Sequence, residues 1–199
     1  IHPHREADKQ AANAAHRRFS SRDGDIPALI NIYDAWLQTK KDKAWASKNY
    51  LSQRSLQHAT SIRQQLSNLV KSIDAGIDPE ISCLPEKDPF LRCLTAGLFL
   101  NIAKLVINAD GVYTSSAHSN TSFANSFTGA SDTLAPYKTM RGSQPVHIHP
   151  SSVLFALASN NMKKLPSFGV YSELLITTKQ YMRGVTAIDG SWLPELATG

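Results

Sequence analysis

"YSELLITTKQYMRGVTAID", residues 171–189, holds two short strand-like runs joined by a Thr-Thr-Lys connection. β-Branched and aromatic residues bounded by Gly and polar breaks mark strands, so this stretch reads as a hairpin. Lys179, Tyr181 and Arg183 crowd the junction, with Thr177 and Thr178 before them. Lysine and arginine neutralise phosphates, threonine hydroxyls donate to phosphate oxygens, and tyrosine stacks on bases. The group therefore fits a nucleic-acid surface. On composition alone, an ordinary hairpin with a solvated Lys and Arg and two half-buried tyrosines accounts for it better.

Working outward, the same β texture extends over "PYKTM" (136–140), "PVHIHP" (145–150) and "FGVYSELLIT" (168–177). Short strands separated by Gly, Pro, Asn and Lys are expected to form a small barrel. "DGSWLPEL" (189–196) reads as a closing helical turn capped by Asp189.

The first half has a different period. "IHPHREADKQAANAAHRRF" favours a polar, exposed helix after Pro3. Gly24 breaks it and Asp25 is expected to cap the next helix, where Ile26, Leu29, Ile30, Tyr33, Trp36 and Leu37 recur at three- and four-residue steps. Ser55 is the expected N-cap of a longer helix. Its apolar seam is Leu56, Ala59, Ile62, Leu66, Leu69, Val70 and Ile73, with Arg54, Arg63, Gln64 and Lys71 off the seam. Asp88-Pro89 opens a third apolar helix, and "CLTAGLFLNIAKLVI" (93–107) reads as buried helix. Residues 108–135 are dominated by Ser, Thr, Asn, Ala and Gly without any period, and read as a flexible insertion.

The 199 residues carry a formal charge of +5, enough to make an anionic partner plausible. A hydrophobic content of 42% and a charged content of 19% fit a soluble globular protein. Cys83 and Cys93 lack CxxC spacing and are expected to be reduced, intracellular thiols. No apolar run is long enough to cross a bilayer, so no membrane partner is expected. His147 and His149 share one face of a strand, but two ligands do not make a zinc site, and His2 and His4 fall at the terminus. GxxxxGK[ST], GxGxxG and GxSxG are all absent, so Ser151 and Ser152 are not read as nucleophiles and the chain is not expected to hydrolyse ATP.

Five blocks in order change this picture: "HRRFSSRDGDIPALINIYDAW", "WASKNYLSQRSLQHATSIRQQL", "FLRCLTAGLFLNIAKL", "YKTMRGSQPVHIHPSSVLF" and "YSELLITTKQYMRGVTAIDGSWL". Together they resemble the C-terminal region of DEAH-box RNA helicases. The resemblance implies an α+β chain: a helical ratchet-like subdomain at 1–107, a polar insertion at 108–133, and a small OB-fold-like β-barrel at 134–197. It also implies a piece of a larger protein, with the motor and winged-helix domains upstream. Those motors would use ATP and magnesium to step 3′ to 5′ along single-stranded RNA, while this chain needs no cofactor of its own and holds the strand.

By that resemblance, Thr177, Thr178, Lys179 and Arg183 face RNA, with Tyr137 and Lys138 of the first OB strand beside them. Asn49, Arg54 and Ser55 open the long ratchet helix and are implied to contact the RNA backbone, and Ser151 and Ser152 of "HPSS" to contribute hydrogen bonds. The expected partners are single-stranded RNA, the upstream domains and an activating protein such as a glycine-patch protein. The expected processes are splicing or ribosome biogenesis, in the nucleus or nucleolus. The alternative is a protein-interaction module whose RNA contact is incidental. Three departures from the family stand out: Ile26 replaces a histidine after "GD", Ala46 replaces a cysteine after the ratchet tryptophan, and the 108–135 segment is longer and more polar than expected between ratchet and OB fold.

Overall fold

A computed structural model describes residues 6–74, 76–79, 81–83, 86–106, 137–159, 164–177 and 179–197. The chain divides into two units. One comprises residues 1–20 and 28–90; the other comprises 21–27 and 91–199. His2, His4 and the 108–133 segment lie outside the described residues.

The first unit is helical, built on α1 (Glu6–Arg17), α2 (Asp25–Gln38, its first three residues counted with the second unit), α3 (Lys43–Lys48) and α4 (Gln53–Ile73). Trp36 and Ala46 are fully buried, and Phe19 meets Trp45 edge-on at 5.8 Å. Asp42 caps α3 by accepting the amides of Ala44 and Trp45. The cap of α4 is Ser52, not Ser55: the Ser52 hydroxyl accepts the Ser55 amide, which places Ser55 three residues into the helix. The seam of α4 is not a core seam. Leu66, Leu69 and Ile73 are exposed, and Ser67 is the buried residue of that helix.

The second unit joins α5 (Asp88–Gly97, its first three residues counted with the first unit) to a sheet of seven described strands: β1 (Ile102–Leu105), β2 (Tyr137–Thr139), β3 (Pro145–Ile148), β4 (Phe168–Val170), β5 (Glu173–Ile176), β6 (Gln180–Arg183) and β7 (Thr186–Ile188). The strand order is β5-β6-β3-β2-β1-β4-β7, antiparallel throughout except for the parallel pair β3–β6. Helix α6 (Val153–Ser159) follows β3 and α7 (Leu193–Leu196) closes the chain. Asp189 caps the final turn as expected, accepting the Ser191 amide at 2.8 Å.

Residues 93–107 are not one helix. The helix stops at Gly97, a 3-10 turn spans Phe99–Asn101, and Ile102–Leu105 becomes a strand flanked by β2 and β4. Two neighbouring strands bond its backbone, and that tertiary pairing overrides the helical reading. Tyr137 therefore lies in the second strand of the sheet. The run "FGVYSELLIT" is likewise two strands, β4 and β5, separated at Tyr171 and Ser172.

One face of the sheet buries Ala103, Leu105, Tyr137, Val146, Ile148 and Met182 with Leu154 of α6. A second cluster gathers Ile102, Val170 and Ile188 with Phe99, Phe168 and Trp192. Each large apolar side chain so buried contributes about 1.5–3 kcal/mol.

The segment 21–27 is part of this unit. The Asp25 amide donates to the Val185 carbonyl at 2.8 Å, the Ala187 amide donates to the Asp23 carbonyl at 2.7 Å, and Gly24 bridges Thr186. The free side of β7 is thereby paired. Gly24 sits at φ +121°, and a Cβ there would lie 2.3 Å from the Val185 carbonyl oxygen, so only glycine fits.

Candidate nucleic-acid interface

The β5–β6 hairpin forms as the sequence indicates. Its turn is closed by Thr177, whose amide donates to the Lys179 carbonyl at 2.9 Å and whose hydroxyl donates to the same carbonyl at 3.1 Å. That hydroxyl tightens the turn instead of standing open to a ligand. Thr178 lies outside the described residues. Lys179 is half-buried, and Arg183 is exposed and ion-paired with Glu173 at 2.8 Å. Exposed pairs of this kind contribute about 0–1 kcal/mol, so a phosphate can compete for the guanidinium.

Tyr181 stands opposite Leu175, one rung in from the turn. Its ring lies 5.9 Å from His147 and 5.7 Å from His149, edge-on to the latter. Register explains the grouping, because His147 is the partner of Tyr181 in the parallel β3–β6 ladder. The Ser151 amide donates to His149 Nδ1 at 3.1 Å, so that nitrogen acts as acceptor. Ser151 is exposed, with its hydroxyl 2.7 Å from the same Nδ1. Among the described residues, His147 Nδ1 is buried without a hydrogen-bond partner.

Ser152 is buried and committed elsewhere. Its hydroxyl donates to Asp25 Oδ1 at 3.0 Å and accepts the Leu154 amide. Asp25 Oδ1 also accepts the Val153 amide and Oδ2 the Val185 amide, both at 2.7 Å. Asp25 thus caps the start of α6 and ties it to the loop before β7; it does not act as a local cap of α2. Burial raises the Asp25 carboxyl above its ordinary value, although its hydrogen bonds and His149 pull the other way.

The remaining candidates separate by burial. Tyr137 is fully buried and donates its hydroxyl to the Pro166 carbonyl at 2.8 Å, which makes it a core residue. Asn49 is 1% exposed, its amide side chain donates to the Trp45 carbonyl, and its own carbonyl lies 2.9 Å from His16 Nε2. Arg54 and Ser55 are exposed in the first turn of α4, in the helical unit. Lys138 is exposed on β2 directly opposite Lys104 of β1. Reading 93–107 as helix left Lys104 out of the candidates. The structure thus gathers Tyr181 and Arg183 of β6 and His147 of β3 on adjoining strands, with Lys179 and His149 just beyond the strand ends and Lys138 on β2.

Among the described residues no group of three His, Cys, Asp or Glu could hold a metal ion, and no helix is long and apolar enough to cross a membrane.

The chain belongs to the oligonucleotide/oligosaccharide-binding (OB)-fold family, whose model matches residues 90–199. It is also similar to the probable ATP-dependent RNA helicase DHX35 of Pongo abelii, at 34% identity over 189 residues that make up 95% of this chain and 21% of that protein. The DHX35 of Homo sapiens is 34% identical over the same length, 22% of that protein. The chain therefore spans about a fifth of the length of these relatives. Both findings agree with the resemblance to a DEAH-box helicase C-terminal region carried by the five sequence blocks.

Proposed function

We propose that this chain is the RNA-holding C-terminal module of an ATP-dependent DEAH-box RNA helicase that moves 3′ to 5′ in nuclear or nucleolar RNA processing. One observation carries the reading: the β5–β6 hairpin, in a fold of the OB family, sets Lys179 at the turn and Arg183 at the far end of β6, with the half-buried Tyr181 ring between them. Such a surface grips phosphates electrostatically and tolerates any base sequence. ATP and magnesium would act in motor domains of the parent protein, and no described residue of this chain is assigned to either.

The test is a fluorescence titration of the full chain with labelled single-stranded RNA. Lys179→Ala combined with Arg183→Ala is expected to weaken binding by on the order of tenfold and to flatten its salt dependence. Unchanged affinity would place the RNA surface elsewhere.

The second reading, docking of an activating protein such as a glycine-patch protein, is favoured by Leu174, Leu175 and Ile176 of β5. These are exposed by 38%, 38% and 72% on the edge strand of the sheet. A stoichiometric protein captured from nuclear extract without RNA crosslinks, and lost on Ile176→Ser, would favour it.

A further inference from the structure

Lys104 and Lys138 face each other across the middle of the sheet. They are direct partners in the β1–β2 ladder, and both are exposed while Ala103, Leu105, Tyr137 and Thr139 beside them are buried. The Met140 amide donates to the Ile102 carbonyl. By the alternation of an antiparallel ladder, 104 and 138 then form a main-chain-bonded pair with Cα atoms about 5.5 Å apart. Like charges directly opposite in a sheet destabilise it.

No acidic side chain in the ladder offsets that cost. On its far side Lys104 is opposite Phe168, and Lys138 is opposite Pro145. The Lys104 ammonium lies 5.6 Å from the Phe168 ring centroid, a contact that keeps it on the outer face. The row therefore reads Phe-Lys-Lys-Pro, without an acid. Among the described residues, Glu173 is paired with Arg183, Glu195 with Arg92, and Asp25 with its own three donors.

We propose that Lys104 and Lys138 clamp a phosphodiester of single-stranded RNA, as a second contact point separate from the hairpin turn. This rests on the RNA-holding reading above and extends it. An anion between two ammonium groups turns their repulsion into two attractions. With strands about 4.8 Å apart and β3 intervening, the pair lies on the order of 10–15 Å across the sheet from β6. The His147 and Tyr181 rings occupy the outer face between the two points. An extended strand crossing the sheet would meet lysine, ring and hairpin in turn.

The experiment titrates the full chain with a fluorescein-labelled oligouridylate over a range of salt. Lys104→Ala with Lys138→Ala is expected to weaken binding by on the order of tenfold. It should also lower the slope of log affinity against log salt by about 0.7 for every phosphate that is no longer neutralised. Lys104→Glu, which replaces repulsion by attraction, is expected to raise the melting temperature by about 1–3 °C while RNA affinity falls. Affinity and slope unchanged in the double variant overturn the clamp. If Lys179→Ala with Arg183→Ala still weakens binding in that case, the RNA-holding reading survives and the clamp alone falls. If the unsubstituted chain does not bind the oligonucleotide, both fall. Loss of polyglutamate binding with RNA binding intact would assign the pair to an acidic peptide and overturn the clamp.

Discussion

The Ser152 hydroxyl donates to the Asp25 carboxylate at 3.0 Å across 127 residues of sequence. The same carboxylate accepts the Val153 and Val185 amides, so one side chain closes the start of α6 and the loop before β7 together. Asp25→Ala would leave two backbone donors and a hydroxyl without their acceptor. It is expected to cost about 3 kcal/mol in urea unfolding. The carboxyl is raised by burial above its ordinary 3.8. A group raised in the folded state adds stability that is fully present below the unfolded value and lost as pH rises through the folded one. The unfolding free energy of the native chain minus that of Asp25→Asn should therefore shrink as pH climbs from below 3.8. A difference that grows instead would show that hydrogen bonding outweighs burial at this site.

Gly24 tests the pairing of segment 21–27 with β7. With φ at +121° and the Val185 carbonyl oxygen only 2.3 Å from where an alanine Cβ would stand, Gly24→Ala must displace the strand. Its expected cost is about 2 kcal/mol or more. Amide exchange at Ala187, which donates to the Asp23 carbonyl, should speed up along with it.

Tyr137 separates core from surface. Tyr137→Phe removes the bond to the Pro166 carbonyl and is expected to cost about 1–3 kcal/mol on thermal unfolding. RNA affinity should be unchanged, because the ring is fully buried.

Local signals in the sequence are reliable where the structure is local. The β5–β6 hairpin, the Asp88-Pro89 helix start and the Asp189 cap all follow from neighbouring residues. Partner choice is where such reading ends. The period of α4 identifies a helix, yet Leu66 is 55% exposed, because periodicity says which residues share a face and not what covers it. The four residues of β1 are too few to display alternation inside an apolar run, so Lys104 is not legible as a surface cation. Asp25 carries the residue type of a cap, but the amides it accepts lie far along the chain. Tyr137 and Asn49 have side chains fit for RNA, and only tertiary packing shows that both are spent internally.

The inclusion of residues 21–27 in the second unit makes that unit discontinuous. A piece cut to the family match alone, beginning at residue 90, would lack the aspartate and strip the outer rung from β7. Its bare edge would be open to neighbouring chains, and soluble monomer yield should drop. During synthesis, the early heptapeptide must wait for the last strand to emerge before it can dock. Closure of this β-unit is accordingly a late, long-range folding event.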